Sequence, residues 1–105
     1  MVGRIRKCFL ENRVLYTQHA RDEMRSEELG PIREREVFEA VQTGEVIESY
    51  EDDKPYPSAL VYGITSRGRP IHLVCAHADE EDIAIIITVY EPDVSRWIDH
   101  RRRRK

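Results

Sequence analysis

Residues 70–90 read PIHLVCAHADEEDIAIIITVY, two apolar runs on either side of the acidic turn ADEE. Two such runs joined by a short polar turn predict a β-hairpin, with strands at residues 70–77 and 82–90. Because side chains alternate across a strand, one face of this hairpin is wholly apolar. We expect that face to lie against helices, and it consists of Ile71, Leu73, Cys75, Ile83, Ile85, Ile87 and Val89.

The opposite face of the hairpin carries polar side chains at one end. A tight turn would place His72 directly across from Thr88, with Tyr90 diagonal to it. The rest of that face is small or apolar: Val74, Ala76, Ala84 and Ile86. A sheet face with a polar end above small side chains can form a shallow binding site. The same pattern also fits an ordinary half-exposed sheet face, and both interpretations stay open.

Upstream of the hairpin, the hydrophobic pattern is first helical and then extended. Apolar residues at helical spacing predict three helices before residue 45, and a short extended piece at residues 14–16 separates the first two. Two strands, at residues 45–50 and 59–65, precede the hairpin, and a helical turn is expected over residues 92–98. Helices followed by consecutive strands predict a two-layer α+β domain. We therefore expect N-terminal helices on one face of a four-stranded antiparallel sheet, in a single domain of residues 1–98.

The charge of the chain is divided between an acidic body and a basic tail. Five of the 17 basic residues lie in residues 101–105, which leaves 12 basic against 20 acidic residues, a net charge of −8 for the body. Such a body does not attract a phosphate backbone over its whole surface. A contact with RNA would have to be local or made by the basic C-terminal tail, residues 99–105, which equally fits a disordered, solubilising end.

Cys8 and Cys75 lie in apolar patterns without CxxC spacing, which predicts buried free thiols in a reducing compartment. No apolar run reaches the roughly 18 residues of a membrane span. We therefore expect a cytoplasmic protein without a membrane segment. We also expect no metal ion or other cofactor, since His72 and His77 have opposite parity and point to opposite faces of their strand.

His19 is the candidate functional residue outside the hairpin. With Thr17 as the N-cap, it is the second residue of the second predicted helix, where the helix dipole disfavours the imidazolium. A neutral imidazole beside exposed N–H groups can act as a base next to an anion. Glu23 lies four residues on and shares its helix face, so His19 equally fits a structural role at the helix start.

Five stretches carry a family likeness: TQHARDEM, VFEAVQTGEVIESY, DDKPYPSALVYG, GRPIHLVCA and IIITVYEPDVSRW, in that order. Together they cover about residues 14–98 and resemble domain-of-unknown-function family 4258 in its short single-domain form. Many members carry an arginine four residues after the histidine of the first stretch, where this chain has Glu23. The resemblance implies a fold similar to the RelE/ParE-like ribonuclease toxins. It also implies an antitoxin-like partner of the zinc-finger or helix-turn-helix type.

Three functions remain open at this point, of which the third is a small-molecule- or metal-binding domain. The first is a toxin-like, metal-independent endoribonuclease of a toxin–antitoxin pair, which needs a base, an acid and cations for the phosphate. The catalytic candidates are His19 or His72 as the base and Tyr90 as the acid. The candidate substrate-binding residues are Arg21, Arg25, Arg69, Thr88 and Arg96. The second is a non-catalytic binding module that pairs with an antitoxin-like or regulatory partner through a sheet edge.

Overall fold

A computed structural model describes residues 1–105. Three helices and seven strands follow each other along the chain: α1 (Val2–Leu10), β1 (Val14–Tyr16), α2 (Gln18–Ser26), α3 (Glu34–Thr43), β2 (Glu45–Tyr50), β3 (Ser58–Ile64), β4 (Pro70–Ala78), β5 (Ile83–Tyr90), β6 (Trp97–Ile98) and β7 (Arg102–Arg103). The α+β class and the three helices agree with the expectation from the sequence. None of the helices is both long and apolar enough to cross a bilayer.

The main sheet has five strands in the order β1-β5-β4-β3-β2. β2 to β5 form an antiparallel meander, whereas β1 pairs in parallel with β5, Val14 opposite Ala84. The prediction of a four-stranded antiparallel sheet is therefore wrong. β1 was recognised as extended, but a strand of three residues has too little hydrophobic period to reveal its partner, which lies at the far end of the chain.

A β-bulge shifts the register between β4 and β5. His72 lies opposite Tyr90 and Val74 opposite Thr88, but Cys75 lies opposite Ile86, which leaves Ile87 without a direct partner. An extra residue reverses the facing of every side chain beyond it. The predicted apolar face is consequently wrong for half of β5. Ala84 and Ile86 are buried in the core, and the residues that face the other way are Ile83, Ile85 and Ile87.

The main core lies between the three helices and one face of the sheet. Its buried residues include Ile5, Cys8, Met24, Val37, Val41, Val61, Ile71, Leu73, Cys75 and Val89. Both cysteines are free and buried, as predicted. Two helix starts also follow the sequence: Thr17 accepts a hydrogen bond from the N–H of Ala20 (3.1 Å), and Glu36 accepts one from the N–H of Arg33 (3.0 Å). Local capping thus fixes where α2 and α3 begin.

The C-terminal residues cover part of the other sheet face. A helical turn forms where Trp97 N–H donates to the Asp93 carbonyl (3.1 Å), but the predicted helix stops there and β6 begins. Asp99 and His100 have φ of 52° and 61°, and Arg101 N–H donates to Ile98 C=O (3.0 Å). Two central residues with positive φ form the tight turn that joins β6 to β7. Residues 97–103 are called the C-terminal hairpin below.

Candidate functional site

Four directly paired residues form a row across the helix-free face of the sheet. The row runs from Glu45 on β2 through Tyr62 on β3 and His72 on β4 to Tyr90 on β5. His72 and Tyr90 share this face because they pair directly and lie on the same side of the bulge, which falls between the pairs Val74–Thr88 and Cys75–Ile86. The sequence therefore placed these two rings on the same face, although it put Thr88 rather than Tyr90 directly across from His72.

His72 is fully buried, and both of its ring nitrogens are hydrogen-bonded. Nε2 lies 2.6 Å from the carbonyl oxygen of His100, which can only accept, so Nε2 carries the proton. Nδ1 then accepts from the hydroxyl of Tyr90 at 3.1 Å. Burial lowers the pKa of His72 and raises the pKa of Tyr90 to about 12. At neutral pH the pair is consequently an uncharged imidazole in contact with an uncharged phenol.

The C-terminal hairpin encloses this pair. The Trp97 ring is 5% exposed and meets the His72 ring edge-on, with 4.5 Å between centroids. Arg103 donates to both carboxylate oxygens of Glu48 (2.8 and 3.0 Å), and its guanidinium lies 4.7 Å from the Trp97 ring centre. On the other side, Arg101 pairs with Glu45 and lies over the Tyr62 ring. Two ion pairs and one buried tryptophan therefore attach the hairpin to the sheet.

This geometry gathers a base, an acid and cations at one place. Neutral Nδ1 of His72 can accept a proton, the hydroxyl of Tyr90 can donate one, and Arg101 and Arg103 bring two guanidinium groups to the same sheet face. Sequence reasoning did not name six residues of this site: Glu45, Glu48, Tyr62, Trp97, Arg101 and Arg103. The basic tail was visible in the sequence, but its position on the sheet was not. That position depends on a turn at Asp99 and His100, both in the left-handed region, and no glycine marks this turn in the sequence.

Comparison with known protein families gives a match to residues 16–91. The chain belongs to the family described as Domain of unknown function (DUF4258). This confirms the resemblance drawn from the five sequence stretches. No curated protein and no solved structure matches the chain. The matched part of the DUF4258 domain contains His72 and Tyr90 and ends before the C-terminal hairpin.

Three predicted site residues of the DUF4258 domain lie on α2, on the helix side of the sheet. The imidazole of His19 is 66% exposed and lies 3.3 Å from Glu23. The other two pair with carboxylates, Arg21 with Glu34 (3.1 Å) and Arg25 with Asp22 (2.6 Å). Because His72 faces the opposite side of the sheet, these three residues are not brought together with the His72–Tyr90 pair.

Arg69, at the end of the turn before β4, is held by carboxylates and carbonyls. Its Nε donates to Glu91 (2.6 Å), and Nη1 donates to Glu36 (3.2 Å). The remaining donors reach the carbonyls of Gly30 (2.5 Å) and Pro31 (3.1 Å). The side chain is only 18% exposed, so this guanidinium joins three segments of the domain. At least four of its five N–H donors are therefore used within the domain.

The last two predicted site residues lie near the His72–Tyr90 pair in sequence or in space. Thr88 is half-buried opposite Val74, on the same side as Tyr90. Arg96 is exposed just before the C-terminal hairpin, and its carbonyl accepts from the N–H of Arg104 (2.8 Å). Of the predicted set, His72, Tyr90 and Thr88 therefore share one sheet face.

Acid should loosen the C-terminal hairpin by neutralising Glu48. The hydrogen bond from Arg103 holds the pKa of Glu48 below its usual value. A carboxyl whose pKa is lower in the folded state contributes stability above its unfolded pKa of about 4.3, and that contribution is lost as pH falls through the folded value. Fluorescence of Trp97, the single tryptophan, reports exposure of the hairpin. We expect a red shift in wild type below about pH 4.

Glu48→Gln is the matched variant for this titration, because it keeps the shape of the side chain and removes its charge. At neutral pH we expect the Trp97 fluorescence of this variant to be red-shifted relative to wild type, because the hairpin is attached less firmly. Its difference from wild type should disappear as pH falls through the lowered pKa of Glu48 in the folded protein, because the wild-type carboxyl then becomes neutral as well. Superimposable fluorescence curves for the two proteins across the whole range would contradict this role of Glu48.

Proposed function

We propose that this DUF4258 domain is a metal-independent endoribonuclease of toxin type, with His72 and Tyr90 as its catalytic pair. The observation that carries the proposal is the 3.1 Å contact between neutral Nδ1 of His72 and the hydroxyl of Tyr90, on the sheet face that the helices leave free. The cations of the C-terminal hairpin lie beside this contact, so the base, the acid and the phosphate ligand come from one small area.

The reaction needs one proton to leave the ribose and one to reach the leaving group. Nδ1 of His72 takes the proton of the 2′-hydroxyl, whose oxygen attacks the adjacent phosphorus. The bond from phosphorus to the 5′-oxygen breaks, and the hydroxyl of Tyr90 gives its proton to that oxygen. The products are a 2′,3′-cyclic phosphate and a 5′-hydroxyl. Arg103 offsets the charge that develops on the phosphoryl oxygens.

RNA reaches His72 only when the C-terminal hairpin moves, because the imidazole is fully buried. The ion pairs that attach the hairpin lie at the surface: the side chains of Arg101 and Arg103 are 53% and 62% exposed. Exposed pairs of this kind contribute about 1 kcal/mol or less each. Movement of the hairpin releases Arg103 from Glu48. The guanidinium of Arg103 is then free to form a bidentate hydrogen bond with phosphate.

A cleavage assay with a labelled RNA in the presence of a chelator tests the proposal. We expect Glu48→Gln to cleave faster than wild type, because it loosens the hairpin and keeps Arg103. On the Glu48→Gln background, His72→Ala or Tyr90→Phe should lower the rate by roughly 10²- to 10⁴-fold, the usual contribution of a positioned acid or base. Products ending in a 2′,3′-cyclic phosphate identify the mechanism.

His19→Ala is the control for the second candidate base. His19 lies on the helix side of the sheet, so we expect its removal to leave the rate unchanged. Full activity in both His72→Ala and Tyr90→Phe would rule out the proposed pair. Absence of cleavage by a folded Glu48→Gln protein would rule out the activity. Cleavage of RNA in the reducing cytoplasm also suits a domain whose two cysteines are free.

A second candidate function is a binding module, and one observation favours it. The chain's own arginine-rich segment already docks on Glu45 and Glu48 of β2, the outermost strand of the sheet. A basic, extended segment of an antitoxin-like partner could replace the C-terminal hairpin there and pair along the free edge of β2. Three of the arginines predicted to bind RNA also favour this function over cleavage, because each is paired with a carboxylate: Arg21, Arg25 and Arg69.

Binding of the neighbouring gene's product distinguishes the two functions. For a module, we expect a tight complex, a change in Trp97 fluorescence on binding, and no RNA cleavage by either component. Glu45→Lys together with Glu48→Lys should abolish that complex by charge reversal. A complex that survives both reversals would place the interface elsewhere.

A further inference from the structure

Three potential metal ligands of different kinds meet on the helix side of the sheet, away from the His72–Tyr90 pair. They are the thiol of Cys8 on α1, the imidazole of His77 on β4 and the carboxylate of Asp82 in the β4–β5 turn. Their ligand atoms all lie within 4.8 Å of one another. The closest separations are 2.7 Å from His77 Nε2 to Asp82 Oδ1 and 3.7 Å from Cys8 Sγ to the same oxygen.

The partners of His77 point to a cation between its ring and Asp82. Asp79 Oδ1 lies 2.8 Å from Nδ1, while Asp82 Oδ1 lies 2.7 Å from Nε2. A neutral imidazole has a single N–H and can donate to only one of two carboxylates. When Nδ1–H donates to Asp79, the lone pair of Nε2 faces the oxygen of Asp82. Either a second proton or a metal ion must separate those two acceptors.

The groups behind the cluster resemble the outer shell of a metal site. A carboxylate that accepts from the far nitrogen of a histidine fixes its ring and directs the other nitrogen at a metal, which is the position of Asp79. Arg13 donates to Oδ2 of Asp82 at 2.7 Å and leaves Oδ1 directed at Cys8 and His77. The Asp82 side chain is 44% exposed, which opens the cluster to solvent, and a surface cavity of about 270 Å³ borders its outer side at His77 and Asp79.

We propose that Cys8, His77 and Asp82 bind a zinc ion, with solvent in the fourth position. Thiolate, imidazole and carboxylate are the ligands that zinc takes in proteins, and three protein ligands with one open position is a known arrangement. A thiol and an imidazole also disfavour the hard cations Mg²⁺ and Ca²⁺. Binding forms the zinc–sulfur bond and releases the thiol proton to solvent.

The ion would tie α1 to the turn of the central hairpin. Cys8 lies near the end of the N-terminal helix, whereas His77 and Asp82 flank the tip of β4 and β5. A ligand that binds only the folded chain stabilises it in proportion to its concentration above Kd. For a domain of this size, saturation at about 100 times Kd corresponds to an increase in Tm of roughly 10 °C.

Titration of the metal-free protein, residues 1–105, with Co²⁺ and then Zn²⁺ tests the site. We expect one equivalent of Co²⁺ to produce a thiolate-to-metal absorption band, and Zn²⁺ to displace it. Cys8→Ser should lose the band, and Cys75→Ala, which removes the other buried thiol, should retain it. Asp79→Asn should weaken binding by about 10- to 100-fold through the loss of the outer carboxylate. Excess Mg²⁺ should not compete.

Two results would overturn the zinc site. One is a wild-type protein that gives no thiolate band with Co²⁺ and no rise in Tm with Zn²⁺, which would leave His77 as a hydrogen-bonded link between Asp79 and Asp82. The other is a band that persists in Cys8→Ser. Asp79 is 72% exposed, so Asp79→Asn keeps the test informative if Cys8→Ser fails to fold. The RNA assay contains a chelator, so neither outcome bears on the catalytic pair.

Discussion

Gly63→Ala is expected to destabilise the domain by about 3 kcal/mol or more, the upper end of the usual cost of overpacking. Gly63 lies on β3 where α3 crosses the sheet. A Cβ at this position would stand 1.8 Å from the carbonyl oxygen of Ala40 and 2.5 Å from its carbonyl carbon. Both are backbone atoms of the helix, so no side-chain rotation can relieve the overlap and α3 itself must move. Urea unfolding followed by circular dichroism measures the effect.

Gly3→Ala is the matched control for this substitution. Gly3 lies in α1, and a Cβ added there meets nothing within 4 Å. Alanine should therefore stabilise the domain by about 0.5–1 kcal/mol, through the lower helix propensity of glycine. An unfolding midpoint for Gly63→Ala equal to that of wild type would contradict the close packing of α3 on β3.

Arg69→Met is expected to cost about 2–4 kcal/mol. The substitution keeps an apolar stem and removes a guanidinium that binds Glu36, Glu91 and two backbone carbonyls. Removing one partner of a fully buried ion pair costs about 3–5 kcal/mol, because the other charge stays buried. The two carboxylates are 25% and 19% exposed, so water recovers part of that cost. Chemical unfolding at neutral pH measures the loss.

Two further variants test whether the buried charges cause the stability loss in Arg69→Met. Arg35→Met breaks an exposed pair with Glu39, in which the arginine side chain is 79% exposed, and should change stability by less than about 1 kcal/mol. Adding Glu36→Gln and Glu91→Gln to Arg69→Met should restore part of the lost stability, because neutral amides replace unpaired charges. Equal losses for Arg69→Met and Arg35→Met would show that the buried network contributes no more than a surface pair.

Much of the fold follows from local patterns in the sequence. Thr17 and the pair Arg33 and Glu36 mark where α2 and α3 begin, and alternating apolar residues mark the four strands of the meander. What escaped prediction depends on contacts between distant residues. β1 becomes a strand only beside β5, and Ile87 becomes the extra residue of a bulge only when β5 pairs with β4. Neither feature has a local sequence signal.

In the candidate site, too, the sequence predicted what depends on local alternation and missed what depends on contacts between distant residues. Strand alternation placed His72 and Tyr90 on one face, because both lie on the same side of the bulge. The C-terminal hairpin that covers these rings was not predictable. It requires residues 97–103 to fold back through a turn in which Asp99 and His100 have positive φ, and no glycine marks that turn in the sequence. The Cys8, His77 and Asp82 cluster was missed because it joins the first helix to the β4–β5 turn.

The parallel pairing of β1 with β5 has a consequence for folding during synthesis. Val14 pairs with Ala84, so the first strand made has no partner until the last long strand has left the ribosome. Until then, the buried side chains of α1 lack much of the sheet against which they pack. A chain truncated after Tyr90 would lack the C-terminal hairpin altogether and would therefore expose His72 and Tyr90 to solvent.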